Sequence, residues 1–328
     1  MRQEGFVLVM TIWIVAIIAV IAAYFSGQVD KSTELARQMQ NQTRELIDLA
    51  GTKAEILYRL GVTPISVYGL GTTQQDSIAL DDSPYKGKGD TIARLQDDRG
   101  LLNLNIVDDA RLERFLTTLG VPGDQIGTMS DTLRDYTDPD SLKRLNGAEK
   151  DDYAKLGLPP PRNANLTTPY EAKNIIAWKD KPQLWRNGLL PNLTTTSLSV
   201  AMNPNTAPWQ VLTSLPGINY QVAESIIKMR KIAPIFDPSQ IAVITGINPQ
   251  LLAFSIIAFP ANIIRVTLYS PSMPWGWQFN VSLSPNDATS PWRIDYFYKI
   301  ELAYENHDQE VPLPLPPTPA LPATAAVF

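Results

Sequence analysis

The sequence predicts an α+β protein in which a long N-terminal helix and a small antiparallel sheet carry a large inserted α-helical domain. Three observations lead there. An apolar run over residues 6–25 passes without proline into an amphipathic stretch ending near residue 61. Apolar and polar residues alternate at 98–105 and again at 263–269, 277–283 and 292–302. Between these strand patterns, residues 106–260 have mainly helical periodicity, so strands distant in the chain must meet in one sheet with helices looped out between them.

Composition narrows the function before any motif is read. With 328 residues, 44% hydrophobic and 19% charged, the chain can bury a core as one large domain or two smaller ones. A formal net charge of -5 offers polyanions no general attraction. The absence of cysteine excludes disulfides, cysteine-ligated zinc and a thiol nucleophile. A single histidine, His307, speaks against a histidine metal site and a Ser-His-Asp triad and reads as a solvated surface residue.

The first element is lipophilic. Residues 6–25 are apolar except for Thr11, and as a helix they extend about 30 Å, the thickness of a bilayer's hydrocarbon core. A cleaved secretory signal would have a shorter apolar core, a more basic flank and small residues at its cut site, whereas an ordinary signal anchor fits the run as well. Ahead stand only Met1, Arg2, Gln3, Glu4 and Gly5. This short charged leader, ending in glycine before phenylalanine, resembles the class III leader of type IV pilins and pseudopilins. The resemblance implies that a prepilin peptidase cuts between Gly5 and Phe6 and methylates Phe6. Most such subunits carry a glutamate five residues into the mature chain, where this sequence has Met10. In the family that carboxylate is thought to pair with a neighbour's terminal amine, because a charge in lipid is costly unless paired. A subunit with nothing above it needs no such partner, and among pseudopilins the K subunit typically lacks the glutamate.

Over residues 26–61, Leu35, Met39, Leu46, Leu49, Ile56, Leu57 and Leu60 recur at helical spacing, continuing the span as an amphipathic helix that stops near Gly61 and Pro64. Residues 62–105 begin the sheet: Asp98, Arg99 and Gly100 read as a turn, followed by a strand with Leu102 and Leu104 on one face and Asn103 and Asn105 on the other. Asn105 is expected to cap the next helix. Residues 106–260 form the helical insert, and 261–305 return to the sheet as strands with one face buried. Residues 306–328 include a stretch rich in Pro, Leu, Ala and Thr, a composition of extended, disordered tails.

The motifs of the insert add to the resemblance. Asn103-Leu104-Asn105 is echoed by Asn203-Pro204-Asn205, and between them lie Asp135-Tyr136-Thr137-Asp138-Pro139-Asp140, Gly147-Ala148-Glu149, Asp151-Asp152-Tyr153, Asn163, Asn165 and Glu171. In this order they resemble the K family of type II secretion pseudopilins. Asp135, Asp138, Asp140, Glu149 and Asp151 concentrate hard oxygen donors around turn-forming residues, which suits either calcium or a solvated acidic loop. The twelve-residue EF-hand loop is not reproduced. The resemblance implies a structural calcium at Asp135, Asp138, Asp140 and Glu149; Lys150 departs from the acidic residue usual there, and Asp151 is the substitute. The same carboxylates could pair as acid and base, but no nucleophile, oxyanion loop or phosphate-cradling glycine pattern accompanies them, so no enzymatic activity is expected.

Leu215-Pro216-Gly217-Ile218-Asn219, followed by Ala223, Ile226 and Ile227, looks like a helix-hairpin-helix. In DNA-binding versions the hairpin amides meet a phosphate, helped here by Lys228, Arg230 and Lys231. Asn219 replaces the usual second glycine, which favours a packing role. The resemblance as a whole implies a single-pass protein of a Gram-negative inner membrane with its bulk in the periplasm, a pilin-like fold and a place at the tip of the type II secretion pseudopilus. Its implied partners are minor pseudopilins I and J, extending to the major pseudopilin and the inner-membrane secretion platform. The alternatives are a membrane-anchored helix-hairpin-helix DNA-binding protein and a minor pilin of a related type IV pilus; no nucleic acid is expected as partner.

Overall fold

The computed structural model describes residues 4–197, 199–248, 250, 255–285, 287–302 and 311–317. Helix α1 (Glu4–Val62) is unbroken, since no proline removes a backbone donor along its length. It is the one described helix long and apolar enough to cross a membrane. Its outer part has no cover: Val7, Trp13 and Phe25 are 64%, 67% and 68% exposed, and Leu35, Met39 and Leu46 remain exposed beyond them. Burial starts at Leu49 and continues through Ile56, Leu57 and Leu60, so the amphipathic stripe meets the sheet only over its last turns.

After a small hairpin, β1 (Ile65–Ser66) and β2 (Gly69–Leu70), strands β3 (Asp81–Lys86) and β4 (Ile92–Asp97) pair antiparallel. The chain then leaves the sheet. A 3-10 turn at Asp98–Gly100 leads to β5 (Leu102–Asn103), α2 (Asp109–Thr118), α3 (Gly123–Thr137), α4 (Lys150–Lys155), α5 (Pro182–Trp185), α6 (Leu189–Leu193), β6 (Thr194–Thr195), α7 (Trp209–Leu212), α8 (Tyr220–Ile232) and α9 (Pro238–Thr245). It returns as β7 (Ile263–Tyr269), β8 (Trp275–Leu283) and β9 (Trp292–Glu301), and Leu313–Pro314 forms β10. The main sheet has the order β10-β3-β4-β7-β8-β9. Asp97 and Ile264 are register partners of the antiparallel β4–β7 pair, so the helical domain stands where a hairpin loop would be.

Two hydrophobic cores follow from this layout. One joins α1 to the sheet through Leu49, Ile56, Leu95, Val266 and Phe279; the other fills the insert around Phe115, Leu133, Tyr153, Trp178 and Ile226. The region 98–105 belongs to the second core, not to the main sheet. β5 is two residues long and pairs parallel with β6, and Leu102 and Leu104 are buried in the helical core. The expected cap at Asn105 is also displaced: Asp108 caps α2, accepting from the Arg111 amide at 2.9 Å.

Strands β7, β8 and β9 fall where alternation predicts them, yet the expected solvent-facing side of β7 and β8 is covered. Ile264, Val266 and Leu268 join the spine-side core, while Arg265, Thr267, Gln278 and Asn280 are buried as well. The helical domain lies on this polar face. Arg265 donates to the carbonyls of Pro191 and Asn192, and Tyr170 Oη donates to Gln278 Oε1 at 3.2 Å. Hydrogen bonds satisfy most of this buried polar face, although Arg265 Nε and Asn280 Oδ1 are sealed there without a partner.

Within the proline-rich tail expected to be free over 306–328, the described residues are bound. Residues 311–317 lie along the sheet: β10 pairs parallel with β3, and the Arg59 guanidinium donates to the carbonyls of Pro316 at 2.8 Å and Pro317 at 3.4 Å. Proline lacks an amide donor but keeps its acceptor, so a prolyl segment can occupy a sheet edge and be held through its oxygens. Residues 303–310, with His307, and 318–328 lie outside the described residues.

Candidate functional site

The acidic loop is built on the end of α3. Asp135 is fully buried there, and its carboxylate accepts the Arg144 amide at 3.1 Å, receives the Ala148 amide and faces Arg144 Nε at 3.6 Å. It ties down the loop between α3 and α4. Gly147 is required opposite it, because a Cβ there would fall 1.8 Å from Asp135 Oδ2. Across the same loop Lys143 pairs with the half-buried Asp152 at 2.9 Å, and Lys143 chiefly holds that carboxyl down at about 2.

Asp140 is exposed and accepts the Leu142 amide at 2.8 Å, and the other acids are less well satisfied. Both carboxylate oxygens of Glu149, Asp138 Oδ1 and Asn163 Oδ1 are sealed from solvent without a well-formed hydrogen bond, Glu149 facing only the loosely placed Lys150 and Asp152 amides. Asn163 stands beside the loop, donating from Nδ2 to the Asp140 carbonyl at 2.7 Å and from its backbone to the Tyr136 carbonyl at 3.0 Å. Burial raises the Glu149 pKa, and Asp135, Asp138 and Asp140 raise it further. The Asp138 pKa is raised by burial, then by Asp140 and Asp135. Four acids thus share one field, whereas Asp151 is exposed on the first turn of α4. No group of three or more His, Cys, Asp or Glu side chains forms a ready-made metal cluster among the described residues. The donor set is mixed, joining carboxylate oxygens to the amide oxygen of Asn163 and nearby carbonyls, and sealed, unpartnered oxygens of that kind fit a hard cation such as calcium. Asn163 was not legible as a donor, because only the fold seals its oxygen.

The paired asparagines are a repeated structural device. Asn103 Oδ1 accepts from the Asn105 amide at 3.0 Å, and Asn203 Oδ1 accepts from the Asn205 amide at 3.0 Å. In each pair the second asparagine reads one distant residue through both backbone groups: Asn105 grips Leu166, and Asn205 grips Ile235. Asn203 also donates to the buried Asp97, which further accepts from Thr206 Oγ1 at 2.8 Å and from the Ala261 and Arg99 amides. Burial pushes Asp97 up to about 6 against these four donors. Its neighbour Asp98 is raised by burial and accepts from the Ser197 and Thr195 hydroxyls. The two acids staple the exit from the sheet to the chain's return, a role that the sequence pattern did not signal.

The hairpin after α7 is a packing element. Gly217 has φ +76, and Asn219 caps α8 by accepting from the Val222 amide at 3.0 Å. Arg230 is not available to a phosphate, because it donates to the carbonyls of Pro204 at 2.8 Å and Ala207 at 2.6 Å. Lys228 lies 3.7 Å from Glu224. The basic trio reduces to two exposed lysines.

Residues 95–195, which hold the first asparagine pair and the acidic loop, match the family model for protein K of the type II secretion system. That segment belongs to the type II secretion protein K family. Behind the protein K domain, residues 199–254 match a helix-hairpin-helix motif model. The fold as a whole is similar to a chain in the crystal structure of the GspK-GspI-GspJ complex from the enterotoxigenic Escherichia coli type 2 secretion system, with a TM-score of 0.52 and 13% identity over 83% of this chain and 99% of that one. A search of curated proteins found no match.

Proposed function

We propose that this protein is a membrane-anchored minor pseudopilin that assembles with minor pseudopilins I and J and caps or initiates the pseudopilus of type II secretion. The observation that carries the proposal is the protein K domain inserted between β4 and β7 of a sheet that packs on the end of a long apolar helix. The fold shared with a chain of the GspK-GspI-GspJ complex supports it. In the mechanism, the exposed apolar length of α1 sits in the inner membrane or against sister helices, where its side chains lose the water they meet in the free chain. The periplasmic helical domain is too bulky to be buried within a filament, which leaves the end of the filament as its place. The role is structural, not enzymatic.

Calcium belongs to the same proposal. Asp138, Asp140, Glu149 and Asn163 would hold it, with Asp135 behind them fixing the loop; the ion would neutralise carboxylates that the fold has sealed from water. Calcium then stabilises the domain without taking part in any reaction.

The deciding experiment is co-expression of the full-length chain with minor pseudopilins I and J in membranes, followed by detergent extraction and affinity purification. Recovery of all three in one complex, lost when Val15, Ile18 and Ile21 of α1 are changed to Asn, is expected. Purification of the chain alone under conditions that preserve an I–J pair would overturn the assignment.

A further inference from the structure

A cavity of about 280 Å³ opens between α2, the segment 199–202 and the hairpin after α7, away from the acidic loop. Arg111 and Arg114, three apart on α2, reach it side by side. Each is fixed through Nε alone: Arg111 donates to Ser214 Oγ at 3.1 Å, and Arg114 donates to the Ser214 carbonyl at 2.7 Å. Neither forms an ion pair within 4.0 Å among the described residues, and their terminal nitrogens are not among the sealed polar atoms. Asp108 also lines the cavity but is engaged as the cap of α2. Ile106, Val107, Met202, Leu215 and Pro216 supply apolar walls. Burial lowers the Arg111 pKa; Asp108 opposes the shift and Arg114 adds to it.

We propose that this cavity is a docking site for a carboxylate carried on an apolar protein segment, received between the free ends of Arg111 and Arg114. Guanidinium forks match a carboxylate's two oxygens, and pre-anchoring at Nε lowers the ordering cost of binding. Two arginines and one aspartate leave a single formal positive charge. A monoanionic carboxylate balances that charge, whereas a phosphate dianion exceeds it. Asn103, Ser199 and Ser255 complete the polar lining, and the apolar walls suit the aliphatic neighbours of an acidic residue better than the sugars of a nucleic-acid backbone, so a protein is the favoured partner class.

The test titrates the full-length protein in detergent by calorimetry with three probes: acetyl-Leu-Glu-Leu-amide, its Gln counterpart and inorganic phosphate. Saturable binding of the Glu probe, at least about tenfold tighter than the Gln probe and tighter than phosphate, is expected. Arg111→Met should abolish it. Because the arginines also hold Ser214, Val200→Glu supplies a variant that leaves those bonds intact: Val200 lines the cavity and is 76% exposed, and a carboxylate placed there should occupy the arginines and weaken the Glu probe by a similar factor while the melting temperature is unchanged. Equal binding of the Glu and Gln probes, no binding of either, tighter binding of phosphate, or undiminished binding by a folded Val200→Glu variant would each overturn the proposal.

Discussion

Glu149 is a carboxylate in conflict with its surroundings, and the proposed calcium would reconcile the two. Its two oxygens are sealed without a well-formed hydrogen bond, and burial together with three neighbouring aspartates raises its pKa above the ordinary glutamate range against the weaker opposing pull of the Lys150 amide. A carboxyl that holds its proton more tightly folded than unfolded favours the native state at low pH, and this contribution is lost as pH rises from the ordinary value through the raised one. In the proposed calcium-bound state the cation would replace the proton. The gap in melting temperature between calcium and chelator should therefore widen from pH 5 to pH 7, and at a hundredfold excess over the dissociation constant calcium should add about 2.7 kcal/mol. Glu149→Gln should erase most of the calcium response while leaving chelated protein at pH 7 at least as stable as wild type; differential scanning calorimetry in both buffers measures this. Asp97 is the opposite case, with every donor satisfied. Replacing it by Ala strands four donors and should cost about 3 kcal/mol or more in urea unfolding, on the scale of hydrogen bonds to charged acceptors.

Among the elements, the proline-rich strap and the spine helix respond to different tests. β10 covers the β3 edge of the sheet and is held by Arg59. Deleting residues 311–328 uncovers that edge and removes two charge-assisted hydrogen bonds, so a loss of about 2 kcal/mol is expected, read as a lower denaturation midpoint with increased self-association. For α1 the informative measurement is the intact mass of protein purified from its own membranes. Loss of residues 1–5 with one added methyl group at Phe6 is the expected result, and an N-terminus beginning at Met1 would exclude prepilin-type processing.

At the level of the whole molecule, the helical domain occupies the place of a hairpin loop. Its two ends meet as neighbouring strands at Asp97 and Ile264, and the sheet face that it covers is the polar one, carrying Arg265, Thr267 and Gln278. Water can take over those hydrogen bonds, so a chain in which a two-residue turn replaces residues 98–263 should still fold on the spine-side core. Co-purification with minor pseudopilins I and J should survive this deletion if α1 carries the contact. Restriction to the filament end should not survive, and immunogold labelling along pseudopili rather than at their tips is the expected result.

What the linear pattern determined was what local periodicity encodes. The apolar length of α1, the alternation of β7 to β9 and the helical rhythm between them were legible because each follows from which residues can share one face of one element. The order of motifs likewise pointed to the protein K family before any coordinates. Whether a face meets water or protein was not legible, because that depends on a partner element far away in the chain. The polar side of β7 looked solvated and lies under the inserted domain; Leu102 and Leu104 resembled sheet residues and fill the helical core; Pro316 and Pro317 looked free and are gripped by Arg59. The same holds for the candidate site. The carboxylates were visible as a cluster, but only folding determined that Asp135 is committed to loop amides, that Asp151 remains in solvent and that Glu149, Asp138 and Asn163 present sealed oxygens. Burial is a property of pairs of distant segments, and it is burial that makes an acidic loop a candidate cation site.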